Sequence, residues 1–128
     1  MKYLLDTHTF LWFITDDKQL SRRAKKAIEN PDADKFVSIA SLWEMAIKIS
    51  IGKMELDFPF AELVRHLDIN AFELLPISFT HALELSTLTR HHGDPFDRMI
   101  ICQALTEGLT VIGKDANFPS YQGLKLLW

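Results

Sequence analysis

The 128-residue sequence has a single cysteine, Cys102, and no apolar run that approaches a membrane span. One thiol excludes an intramolecular disulfide and offers no thiolate set for zinc, a composition suited to a reducing compartment. A bilayer crossing needs roughly 20 apolar residues. The opening Met1-Lys2-Tyr3-Leu4-Leu5-Asp6 meets a carboxylate too early for a secretory signal. A cytoplasmic protein without membrane contact is expected. Positive charge is also in short supply: 14 Lys and Arg against 17 Asp and Glu give a formal charge of −3, which argues against a broad basic surface that grips nucleic acid. A polyanion reached through a metal ion is still compatible. There is no repeat, linker or low-complexity tract.

What is present is the composition of one soluble globular domain, 48% hydrophobic and 24% charged, expected to occupy residues 1–128 as a single unit. Short apolar runs predict strands at Tyr3-Leu4-Leu5, Phe36 to Ile39, Phe72 to Ile77, Thr110-Val111-Ile112 and Leu124 to Trp128. Between them, helical spacing runs over Leu20–Asn30, Ser41–Ser50, Pro59–Leu67, Thr80–Thr89 and Pro95–Glu107, with another helix beginning near Phe10. Strand and helix in alternation predict an α/β fold, because a parallel crossover needs a helix to return the chain. The expected architecture is a three-layer α/β/α sandwich around a parallel five-stranded sheet. Ser21 or Asp17 is placed to open the second helix, and Gly52 and Gly108 are placed where a left-handed residue ends one.

Four acids stand out by position. Asp6 follows the first strand at its carboxyl end, the edge where open parallel sheets bind ligands, although it could equally cap the next helix. Asp115 follows the fourth strand and returns to that edge, with a turn or short cap as its plain reading. In Asp94-Pro95-Phe96-Asp97, Asp94 reads as an N-cap with proline at the first helical position. Asp97 begins the stripe Asp97, Ile100, Ile101, Ala104, so its carboxylate faces the sheet and must be paired, protonated or bound to a cation. Glu44 lies on a polar stripe with Ser41 and Lys48, opposite the apolar Leu42, Met45, Ala46 and Ile49, and its plain reading is an i, i+4 pair with Lys48.

Clustered carboxylates repel unless a cation sits among them, and hard oxygen donors favour Mg²⁺ or Mn²⁺. Such a site suits phosphodiester hydrolysis, where a divalent ion acidifies water and stabilises charge gathering on the phosphate. Without the four acids the formal charge would be +1, so the net acidity of the chain resides in them.

These residues also resemble a known family in order and spacing. Tyr3-Leu4-Leu5-Asp6-Thr7, Val37-Ser38-Ile39-Ala40-Ser41-Leu42-Trp43-Glu44, Gly52-Lys53-Met54, His92-Gly93-Asp94-Pro95-Phe96-Asp97-Arg98 and Val111-Ile112-Gly113-Lys114-Asp115 are similar to segments of PIN-domain ribonucleases, and among them the VapC-type toxins of toxin–antitoxin pairs. The resemblance covers nearly the whole chain. It implies that Asp6, Glu44, Asp97 and Asp115 are the acidic quartet that holds Mg²⁺ or Mn²⁺, with Asp94 either behind them or as a cap. It further implies RNA as substrate, products with 5′-phosphate and 3′-hydroxyl ends, a cognate antitoxin and a homodimer. One position departs from the pattern: Gly113 stands where the family usually has Thr or Ser, and Thr7 or Ser38 is the candidate to supply a hydroxyl instead.

Arg98 and Lys48, each beside a proposed ligand, are the candidate phosphate contacts, with ion pairing to the acids as their plain reading. Phe10, Trp12 and Trp43 could stack bases, but helical spacing beside Leu11 and Leu42 favours core or subunit contact. His8, His91 and His92 are not required by water-based hydrolysis. Cys102 reads as a small buried apolar residue. Two other functions compete. A phospho-receiver domain would need a phosphorylatable Asp closing a middle strand, for which Asp57 is the candidate. A catalytically weak PIN-fold module binding RNA and metal would account for Gly113.

Overall fold

The computed structural model describes residues 1–128. Its centre is a five-stranded sheet in the order β3-β2-β1-β4-β5, every pairing parallel, formed by β1 (Lys2–Leu5), β2 (Asp34–Ser38), β3 (Phe72–Leu75), β4 (Thr110–Ile112) and β5 (Lys125–Leu127). The connecting helices are α1 (Thr7–Ile14), α2 (Arg22–Glu29), α3 (Ile39–Ser50), α4 (Leu63–Ile69), α5 (Phe79–Thr87) and α6 (Pro95–Glu107). The expected α/β architecture is present. Of the expected elements, α6 matches its whole range, because Asp94 caps it, Pro95 starts it and Gly108, at φ +68°, ends it. Strand β4 also matches its expected range, Thr110–Ile112, and the others shift at their ends. The segment from Pro59 begins as a 3₁₀ turn at Phe60–Glu62, and Ile39 leaves β2 to start α3 because the Ser38 hydroxyl caps the Ala40 N–H.

Strand alternation divides the core in two. Tyr3, Leu5, Val37 and Ile112 point to one face, where they meet Phe10 of α1, Ala24 and Ile28 of α2, Met45 of α3 and Leu63 and Leu67 of α4. Leu4 and Val111 point to the other, against Ile100, Ile101 and Ala104 of α6. Both faces of a parallel sheet need this cover. Cys102 is fully buried, and burial pushes its thiol up to about 11, the behaviour of a small apolar residue. No helix is long and apolar enough to cross a membrane. Asp57 lies in the loop before the 3₁₀ turn and closes no strand, so the receiver reading lacks its acceptor.

Candidate active site

The strand register brings the first two acids together. Leu5 of β1 pairs with Ile112 of β4, so the residues that follow each strand, Asp6 and Gly113, emerge side by side at the carboxyl edge. The Asp6 N–H donates to Ile112 O at 3.2 Å. Asp6 is only 6% exposed, and its Oδ1 accepts the Thr9 N–H at 2.8 Å as the N-cap of α1. Capping and site placement are therefore one role for this residue. Burial raises the Asp6 pKa against the opposing pull of the Thr9 bonds. Asp115 is half-buried in a turn of its own, with Oδ1 accepting from the Asn117 backbone at 2.8 Å.

Gly113 fits tightly. A Cβ there would lie 2.7 Å from Asp6 Oδ2 and 2.9 Å from the ring of Phe118, so the carboxylate occupies the space that a side chain would take. The absent hydroxyl is explained by this packing.

Glu44 enters from α3, is 4% exposed and is fully partnered. Thr7 donates to its Oε1 at 2.7 Å, with the Ser41 hydroxyl 2.9 Å from that of Thr7, and Lys48 donates to Oε2 at 2.7 Å. Lys48 is thus paired with the acid, its plain reading. The polar stripe of α3 proves to be an inward one: Ser41 and Glu44 are buried while Trp43, Ala46 and Ile47 are exposed. Thr7 sits where a residue orienting a functional carboxylate would; Ser38 does not, since its hydroxyl is used in the α3 cap.

Asp97 stands at the start of α6, with its side chain 17% exposed. Burial, first, and then the charges of Asp94, Asp115, Asp6 and Glu44 raise its pKa from 3.8 to about 8. That four carboxylates act on one is the electrostatic signature of their convergence. Asp94 serves the cap, its Oδ1 accepting from the N–H groups of Phe96 and Asp97 at 2.9 and 3.0 Å.

Arg98 departs from expectation. It is buried, and its guanidinium donates to Thr89 O, Leu88 O and the Tyr121 hydroxyl at 3.1, 3.2 and 3.1 Å. One step along a helix turns about 100°, which carries Arg98 away from the acid beside it and corrects its assignment as a phosphate contact. Its partner network reaches the site by another route, unseen in the sequence. The Tyr121 hydroxyl lies 2.7 Å from His92 Nδ1, and His92 Nε2, otherwise without a partner, lies 3.7 Å from Asp97 Oδ2. A hydroxyl that accepts from Arg98 is free to donate to Nδ1, and in that tautomer Nε2 directs its proton toward Asp97. Of the aromatics, Phe10 is core, Trp43 is 58% exposed against the edge of Phe96, and Trp12 is half-buried.

As the side chains stand, no three of the Asp, Glu, His and Cys donors form a ready-made coordination shell. The donor chemistry nonetheless fits a divalent cation. The carboxylates are hard oxygen donors without thiolate competitors, and burial raises the pKa of both Asp6 and Asp97, so that a neutralising cation would favour their charged forms.

A parallel sheet with acids gathered at its carboxyl edge defines a class, and comparison with known proteins gives it a name. Residues 3–124 match the PIN domain, and the chain belongs to that family. It is similar to ribonuclease VapC22 of Mycobacterium tuberculosis, 27% identical over 121 residues that cover 93% of this chain and 91% of that one. Its fold is that of VapBC from Salmonella typhimurium bound to DNA, with a TM-score of 0.73, 20% identity and coverage of 99% and 97%. VapBC2 from Rickettsia felis, bound to a promoter DNA fragment, gives a TM-score of 0.71 at 18% identity, covering 99% and 98%.

Proposed function

We propose that residues 1–128 form a single PIN nuclease domain that hydrolyses RNA internally with Mg²⁺ or Mn²⁺, as the toxin of a toxin–antitoxin pair acting in the cytoplasm. The observation that carries this reading is the gathering of carboxylates around the half-buried Asp97 in a chain of the PIN family, where burial and then four neighbouring acids push its pKa up to about 8. A folded protein retains such repulsion where a site uses it. Asp6, Glu44, Asp97 and Asp115 are the proposed ligands. A divalent ion bound among them supplies charge neutralisation and Lewis-acid activation of water for attack at phosphorus.

The chain's own groups do the rest. Thr7 and Lys48 fix the two oxygens of Glu44, the Thr9 N–H fixes Asp6, and the Tyr121–His92 pair faces Asp97. Asp94 holds the start of α6 in place. The name of the Mycobacterium relative supports RNA as the substrate, and the VapBC structures support an antitoxin partner. Ile39, Trp43, Ile47 and Ile51 form an exposed apolar stripe at i, i+4 spacing along and just beyond α3, which supports a protein partner or a homodimer on that face.

The test is cleavage of a long mixed-sequence RNA by the purified protein with Mg²⁺ or Mn²⁺. Cutting is expected, and Asp6→Asn and Asp97→Asn should each abolish it without lowering the melting temperature. Asn variants that cut like the parent would overturn the site. The catalytically weak module, favoured only by Gly113, predicts Mn²⁺ binding without cleavage.

A further inference from the structure

A nuclease needs cations for the phosphates on either side of the bond it cuts, and both candidates beside the acids are engaged elsewhere. Arg98 is buried on backbone carbonyls and Lys48 is bound to Glu44. Lys114 is different. It is exposed, sits between Gly113 and Asp115 at the carboxyl edge, and pairs with no carboxylate. Its ammonium is held by two indoles instead, 5.0 Å from the centre of the Trp12 ring and 5.9 Å from that of Trp128. An aromatic face steadies a cation without accepting its N–H groups as a carboxylate does, so the three donors stay available to an incoming anion.

Lys114 and Trp12 line a pocket of about 330 Å³ together with Asp6, Asp115, His8 and Gln19. That is the small end of the roughly 300–1,000 Å³ range of ligand sites. Trp12 and His8, with ring centres 5.7 Å apart, give it an aromatic wall. Aromatic rings beside a cation that no carboxylate neutralises are the parts from which single-stranded nucleic acid sites are made, and here they adjoin the acids Asp6 and Asp115.

We propose that this pocket is the subsite for the nucleotide adjoining the cleaved bond, with Lys114 on its phosphate and the His8–Trp12 wall against its base. The proposal rests on the nuclease reading and specifies how that site takes its substrate. Trp12 is thereby moved from a core or subunit role to a substrate-facing one.

The test measures binding of a fluorescein-labelled pool of single-stranded RNA 12-mers in Mg²⁺ across a range of KCl, using the Asp97→Asn background so that the RNA persists. Adding Lys114→Gln should weaken binding about tenfold and lower the slope of log affinity against log salt by about 0.7, the signature of one lost phosphate contact on a single strand. Lys114→Arg should restore both. Lys2→Gln, at the opposite edge of the sheet, should leave both unchanged. An unaltered affinity and slope in Lys114→Gln, with a parent that still binds and cuts RNA, would overturn the subsite and leave the nuclease standing. A parent that neither binds nor cuts RNA in Mg²⁺ or Mn²⁺ would overturn both.

Discussion

The acidic edge has two halves built on opposite terms. Around Glu44 every oxygen is answered by the protein: Thr7 on one side, Lys48 on the other, with Ser41 behind. Around Asp97 and Asp6 the protein provides backbone N–H groups and a distant histidine but no cation within hydrogen-bond reach, and both carboxyls have raised pKa values. The first half is paired and oriented by the chain itself. The second has no counter-charge from the chain, and it is there that the proposed cation would have its largest effect.

The comparison breaks most visibly when each half is given the other's chemistry. Asp97→Asn removes the uncompensated carboxyl: cleavage should fall by about 10³-fold or more, while the melting temperature measured in chelator rises. Lys48→Met does the reverse, leaving Glu44 buried without its cation, and should destabilise the chelated protein by about 2–3 kcal/mol, below the cost of a fully buried pair because Lys48 is partly exposed. Thermal melts with and without Mn²⁺ decide the matter. Shifts of the same sign in the two variants would mean that the halves do not differ.

Acidity sharpens the same contrast. In the unfolded chain the Asp97 carboxyl ionises near 3.8, whereas in the folded one it holds its proton to about 8. Between those values the unfolded state binds fewer protons, so the contribution to stability is full below about pH 4 and is lost as pH rises toward 8. Asp6 acts in the same direction. The chelated protein should therefore lose on the order of 5 °C in melting temperature between pH 5 and pH 8, Asp97→Asn should flatten that loss, and Mn²⁺ should reduce it. A melting temperature that rises over this interval in chelator would contradict the reading.

Much of this site was legible from local chemistry and some of it was not, for reasons visible in particular residues. Helix α6 could be read end to end because Asp94, Pro95 and Gly108 are signals carried within the element itself. Asp6 and Asp115 could be placed on one edge because both follow apolar strands of a parallel sheet. Glu44 was harder. Its stripe looked solvated, since periodicity does not reveal that Thr7, 37 residues away, would satisfy it in the interior. Arg98 was misplaced because adjacency in sequence is not adjacency on a helix, and the partners that draw it aside, Leu88, Thr89 and Tyr121, come from other segments. His92 and Tyr121 carried no local signal, being 29 residues apart.

Gly113 gives the finest adjustment, because it touches the uncompensated half without belonging to it. A Cβ at this position would lie 2.7 Å from Asp6 Oδ2 and 2.9 Å from Phe118, and neither neighbour can withdraw freely: Asp6 is tied by Oδ1 to the Thr9 N–H, and Phe118 is fully buried. A methyl group added there must displace both Asp6 and Phe118, at a cost of about 1–3 kcal/mol for overpacking. Gly113→Ala should therefore lower the melting temperature and weaken Mn²⁺ binding together, since the displaced Asp6 is a proposed ligand, while Gly108→Ala, which meets no atom within 4 Å but is strained by φ +68°, should lower the melting temperature alone. Titration of Mn²⁺ into both variants distinguishes close packing at the site from a general loss of stability. The decisive further substitution is Gly113→Thr, which adds the hydroxyl usual in the family together with the same steric demand. If it binds Mn²⁺ no better than Gly113→Ala, the glycine is there to seat Asp6. If it binds better than the parent, the carboxylate yields easily and the hydroxyl, not the space, is what this position lacks.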